Sequence, residues 1–175
     1  HKWEIVVFET GQDDVVEYRI GEDRWKNKNG TALVSAQPGT ADRNPRGLPF
    51  GLELTGALTN CRPMPAGPRW QPDSPAIDGW ALMKLDLEAE NERNTPGLLV
   101  RMQPTGEQYT TAQQALLWGR QNYPWTFQAQ DRTFAMVLRK VRHSMPFSIR
   151  LDNFEKVDHA GIATAKEFRS DVTQN

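Results

Sequence analysis

Apolar and polar positions alternate along most of the chain. Residues 2 to 9, KWEIVVFE, and residues 15 to 20, VVEYRI, are rich in β-branched and aromatic side chains. The turn formers of residues 10 to 14 separate them, which predicts a hairpin. Residues 80 to 90 alternate Leu82, Lys84 and Asp86 with Met83, Leu85 and Leu87, predicting a half-buried strand whose mainly apolar face carries the second set. Residues 97 to 102, GLLVRM, continue the extended theme. Further on, Phe134, Met136 and Leu138 share one face, with Val137 interrupting the polarity of the other. Phe147, Ile149 and Leu151 then follow at period two, opposite Ser148, Arg150 and Asp152. Only a few residues around Ser144 join these last two strands, so the simplest expectation is that they pair as an antiparallel hairpin.

The interruptions are equally informative. Residues 26 to 47 hold Asn, Gly and Pro punctuation around a short TALV, and read as a long loop. Residues 60 to 79 contain five prolines, which excludes a helix or a central strand and predicts a segment that wraps the surface or bridges strands, pinned by Trp70. One helix is expected, over residues 110 to 119, with Thr110 or Thr111 as N-cap, Ala, Gln and Leu inside, and Gly119 beyond its end. Strand and helix do not alternate, so the predicted class is mainly β: an antiparallel β-sandwich or open barrel with at most one or two short helices. With 175 residues, of which 38% are hydrophobic, the chain is long enough for one domain with a real core. Two related β subdomains, 1–60 and 80–175, bridged by the proline-rich loop 60–79, are the variant of that picture.

A seven-residue pattern, Leu/Met-Pro-Phe-x-Leu/Ile-x-Leu, occurs at residues 48–54 and again at 145–151. Proline is tolerated where a strand opens, because it fixes an extended φ and gives up a donor that is not yet paired. Each copy therefore reads as a strand-opening device, with alternate apolar residues filling one sheet face.

Charge and chemistry narrow the function classes. Lys and Arg number 21 against 22 Asp and Glu, with no long single-sign run, so the basic footprint of a nucleic-acid binder is missing. No apolar run approaches the ~18 residues of a membrane-spanning helix. Cys61 is the only cysteine, which excludes an internal disulfide and a thiolate cluster; it reads as an inert buried thiol, with a reactive thiol beside Arg62 as the alternative. Gly-x-Ser-x-Gly, P-loop, Gly-x-Gly-x-x-Gly and His-Glu-x-x-His motifs are all absent, and the carboxylate pairs Asp13–Asp14, Glu22–Asp23 and Glu88–Glu90 read as solvated surface. No catalytic, cofactor-binding or metal-binding residue is therefore assigned, and the expectation is a binding or assembly module rather than an enzyme. Asn29 opens an Asn-Gly-Thr sequence that marks a surface turn.

The ending, residues 134–173, carries a denser pattern: Pro146, Phe147, Ser148, Leu151, Asp152, Phe154, His159, Gly161, Lys166, Phe168, Ser170 and Val172. In that order and spacing it resembles the C-terminal part of the extracytoplasmic domain of ResB-like cytochrome c biogenesis proteins, the system II family. The opening KWEIVVFE and the LPFGLEL element are similar to earlier parts of the same domain. The chain departs from the family at Ala160-Gly161-Ile162, where Pro-Gly-Thr is common, and in lacking the family's transmembrane helices. The resemblance implies a domain on the extracytoplasmic, periplasmic face of the cytoplasmic membrane, cut from a membrane-anchored parent; the start at His1 fits an excised or processed piece. It implies apocytochrome c and a membrane haem-handling subunit as partners, and haem as a group handled by the wider complex rather than held here. His143, His159 and Met145 are the conceivable axial ligands, but no Cys-x-x-Cys-His is present and the bland readings of both histidines are preferred. Six tryptophans supply amphipathic surface, mostly for packing. The densest aromatic stretch, residues 118–127, makes Trp118, Tyr123 and Trp125, with His143, the candidate partner-binding residues. The alternative function is a stand-alone β-sandwich binding module for a carbohydrate or another ligand.

Overall fold

The structure, a computed structural model, describes residues 2–10, 16–26, 28–34, 48–68, 71–105, 112–143, 146–159 and 165–174. The chain divides into two compact units, His1–Val141 and Arg142–Asn175. The first is built from two four-stranded antiparallel sheets. One has the order β2-β1-β10-β9, from β1 (Trp3–Thr10), β2 (Val16–Gly21), β9 (Trp125–Ala129) and β10 (Arg132–Lys140). The other has the order β3-β4-β7-β8, from β3 (Thr31–Val34), β4 (Phe50–Leu58), β7 (Gly97–Pro104) and β8 (Gln113–Trp118). The predicted hairpin at the N-terminus is β1 against β2, in a register running from Glu4↔Gly21 to Glu9↔Val16.

Alternation sorts each strand between the core and the outside. Ile5 and Val7 of β1, Phe134, Met136 and Leu138 of β10, Phe50, Leu52 and Leu54 of β4, and Leu98, Val100 and Met102 of β7 converge in one buried cluster between the sheets. This is a β-sandwich, as the residue pattern predicts. The first Pro-Phe copy does what was expected of it: Pro49 precedes a strand that opens at the fully buried Phe50.

Polar residues are also drawn into the sandwich, and each is paired. Glu9, on the inward parity of β1, takes Arg132 of β10 in a two-pronged contact, with Nε 2.8 Å from Oε1. On the opposite face of the same sheet Glu4, which is buried, meets Arg139 at 3.0 Å, and Arg139 in turn reaches Glu17 at 3.1 Å. Hydrogen bonding from Arg19 first, and then from Arg139, holds the Glu17 carboxyl below its ordinary range.

A third layer covers the outer face of the second sheet. There β5 (Cys61–Pro65) and β6 (Trp80–Lys84) form a two-stranded ribbon, in which Cys61 and Leu82 close over Leu99 with Leu58, Ile77, Leu116 and Trp118 around them. Pro63 and Pro65 sit in this ribbon, so the proline-rich segment contributes a two-stranded edge and no central strand, in keeping with its missing donors. Asn60 anchors the ribbon: its amide donates to Asp86 O at 2.6 Å and accepts from Thr95 N at 3.1 Å. Trp70 lies outside the described residues.

Three expectations are corrected. Residues 113–118 form β8 and not part of a helix; Thr110 and Thr111 lie outside the described residues. Ala115 and Leu117 enter the main core while Leu116 and Trp118 enter the outer cluster, so two-sided burial overrides the helix propensity of a segment too short to hold a helix on its own. The strands before and after Ser144 do not pair with each other, because β1 and β9 already occupy both edges of β10. In β6 the buried residues are Ala81 and Leu82, and Leu87 lies beyond the strand, 67% exposed.

The ribbon's approach depends on Gly97, where an added Cβ would lie 2.5 Å from Cys61 Sγ and 2.8 Å from a Leu82 methyl. Gly97→Ala is expected to lower stability by about 1–3 kcal/mol, seen as a lower urea midpoint. Gly67→Ala, whose Cβ would meet nothing within 4 Å, should leave the midpoint in place.

Candidate functional site

The second unit is a long antiparallel ribbon, β11 (Ile149–Asp158) with β12 (Ala165–Gln174), which pairs with no third strand among the described residues. Its register is Leu151↔Val172, then Asn153↔Asp171, leaving Asp152 as an extra residue in a β-bulge. The bulge decides what the ribbon displays. Strict alternation from Ile149 and Leu151 would continue to Asn153 and Glu155; the extra residue reverses the parity, so that Phe154 and Lys156 follow instead, opposite Ser170 and Phe168. One face thus carries Ile149, Leu151, Phe154, Phe168 and Val172, each more than half exposed, with the Phe154 and Phe168 rings stacked 6.0 Å apart.

The other face is charged and internally paired. Arg150 meets Asp152 at 2.7 Å, Arg169 meets Glu167 at 2.9 Å, and Asn153 donates to Asp171 at 3.4 Å. Asp152 also accepts from the Thr173 hydroxyl across the ladder. That hydroxyl first, and Arg150 second, hold the Asp152 carboxyl below its ordinary range, so the tie between the strands persists into mild acid. Of the residues that carry the sequence pattern, Leu151, Phe154, Phe168, Ser170 and Val172 share the apolar face, and Asp152 forms the bulge that puts them there. Gly161 and Met145 lie outside the described residues; His159 ends exposed beyond β11. The ribbon itself was not anticipated, since β12 carries its apolar residues at only Phe168 and Val172.

The residues singled out as partner-binding are not alike. Trp118 is half-buried in the outer cluster and its indole donates to Cys61 O at 2.9 Å, which ties it to the β5–β6 ribbon. Trp125 is also half-buried, stacked on Phe127 at 4.5 Å against the core. Tyr123 is 81% exposed, and His143 is exposed. Two of the aromatic rings therefore have packing roles, and Tyr123 and His143 are the accessible members of the set.

Cys61 is buried and unpaired with any other thiol, and burial pushes it up to about 12, which matches the inert reading. Among the described residues no three His, Cys, Asp or Glu side chains are grouped to hold a metal ion, and no helix is long and apolar enough to cross a membrane. No protein-family model, curated protein or solved structure matches the chain.

A thiol raised in the folded state contributes stability that is intact below the unfolded thiol's ordinary value of 9.0 and is lost as pH rises toward 12. Unfolding free energies from urea titrations between pH 9 and 12 should fall for the native chain by up to about 1.4 kcal/mol per pH unit more steeply than for Cys61→Ala.

Proposed function

We propose that the chain is a non-catalytic binding domain of the ResB-like type, displayed on the extracytoplasmic face of the cytoplasmic membrane by a membrane-anchored parent, and that it positions apocytochrome c for haem attachment. The supporting observation is the β11–β12 ribbon. Ten-residue strands whose outer edges have no ladder partner among the described residues are templates for an added strand, and natural proteins usually shorten, charge or cover such edges. Here one face is predominantly apolar, with Lys156 paired to Asp158 at 2.9 Å, and Arg150–Asp152 and Arg169–Glu167 pair on the other, so an extended segment joining the edge gains backbone hydrogen bonds from the ladder and side-chain contacts from Phe154, Phe168 and their neighbours. Five of the residues that carry the resemblance to the family, Leu151, Phe154, Phe168, Ser170 and Val172, lie on this face.

Haem in this reading is delivered by a membrane haem-handling subunit, and the domain's share is to hold the polypeptide near it. Backbone pairing gives affinity with little sequence demand, which suits a platform serving the Cys-x-x-Cys-His region of a substrate. His143, in the same unit as the ribbon, is a secondary contact in this reading, and Tyr123 is an exposed ring of the first unit.

Fluorescence anisotropy with a labelled Cys-x-x-Cys-His peptide, under reducing conditions, tests the proposal. Micromolar binding is expected, with a scrambled peptide about tenfold or more weaker. Phe154→Ser with Phe168→Ser should cost a similar factor, and Tyr123→Ala less. Equal binding of both peptides, or binding indifferent to the double variant, would overturn it.

A further inference from the structure

At one end of the sandwich, where β1 begins and β4 ends, the first unit contains a cleft of about 340 Å³. Trp3 and Trp25, 8% and 4% exposed, line it together with Asn29, Thr59 and Asn91. The Trp3 ring is held against Gly119, where a Cβ would collide with it, and Lys140 Nζ lies 5.8 Å from its centroid. Glu22 and Lys26, the charged residues of the lining, pair with each other at 3.1 Å, and the second Glu22 oxygen accepts from Trp3 N at 3.1 Å. Among the described residues the lining therefore holds no unpaired charge. Trp25 is 4% exposed, and its indole N–H is the buried side-chain donor that lacks a partner among the described residues.

We infer that this cleft binds a small, neutral, hydroxyl-rich molecule, of the class of one or two hexose rings. Each asparagine amide offers both donors and acceptors to hydroxyls that are themselves both. A charged ligand would have to compete with the Glu22–Lys26 pair and be desolvated without compensation. The volume lies at the small end of the range for ligand sites. A ligand oxygen that reached the indole would pair the Trp25 donor, whose unpaired burial is unfavourable. Among the described residues Glu22 is the one carboxylate of the lining, short of the pair that most glycoside hydrolases use. The site is independent of the β11–β12 ribbon and uses none of its residues.

Tryptophan emission and amide chemical shifts of the whole chain, titrated with glucose, galactose, N-acetylglucosamine and maltose, and with glucuronate as the charged control, test the inference. At least one neutral sugar should saturate the signal and glucuronate should not. Asn91→Ala, on an exposed 3-10 turn, and Trp25→Phe, which keeps a ring and removes the N–H, should each weaken binding by about tenfold, and Thr59→Phe should block it, while Phe154→Ser leaves it unchanged. Silence from all four neutral sugars at concentrations on the order of 10 mM, or binding indifferent to both Asn91→Ala and Trp25→Phe, would overturn it.

Discussion

Phe50 reaches from β4 of one sheet to set its ring edge-on against Phe127 and Phe134 of the other, with centroids 5.0 and 5.1 Å away and planes inclined at 81° and 79°. Edge-to-face geometry lets the positive rim of one ring meet the negative faces of two others, so the contact fixes orientation as well as burying area. Trp125 extends the stack through Phe127. Among the described residues no backbone ladder joins the two sheets, so this aromatic cluster and the aliphatic residues around it hold the sandwich together. The outer β5–β6 layer and the cleft at the sandwich end are built on the frame it sets.

Much of that frame is legible along the chain. The opening hairpin, the inward set Phe134, Met136 and Leu138, and the strand that starts at Phe50 all follow from period-two alternation and from where proline and glycine fall. Three features are not local and could not be read that way. Residues 113–118 have helix-favouring side chains and become a strand because both their faces are buried by partners far away in sequence. The strand before Ser144 pairs with the first strand of the chain rather than with its neighbour, since pairing depends on which edges are open. The ribbon's apolar face depends on one bulged residue, Asp152, and a one-residue shift of register leaves no mark in composition.

The candidate site shows the same division. Among the aromatic residues of the 118–127 stretch, exposure could not be inferred from residue type: Trp118 and Trp125 are held by an indole hydrogen bond and a ring stack, and only Tyr123 stands free of the core. Phe154 and Phe168 form the larger exposed aromatic pair, signalled in the sequence only by the patterned ending that carries the family resemblance. The ribbon pairs Arg150 with Asp152 and Arg169 with Glu167 on one face and gathers five exposed apolar side chains on the other, an arrangement suited to accepting a further strand.

Hydrogen–deuterium exchange of the whole chain, with and without a Cys-x-x-Cys-His peptide, tests the central claim most directly, because strand addition must protect backbone amides along the edge it uses. The account predicts slowed exchange within residues 149–158 or 165–174 when the peptide is present, with the sandwich strands unchanged. Protection confined to the sandwich, or none anywhere at saturating peptide, would contradict it.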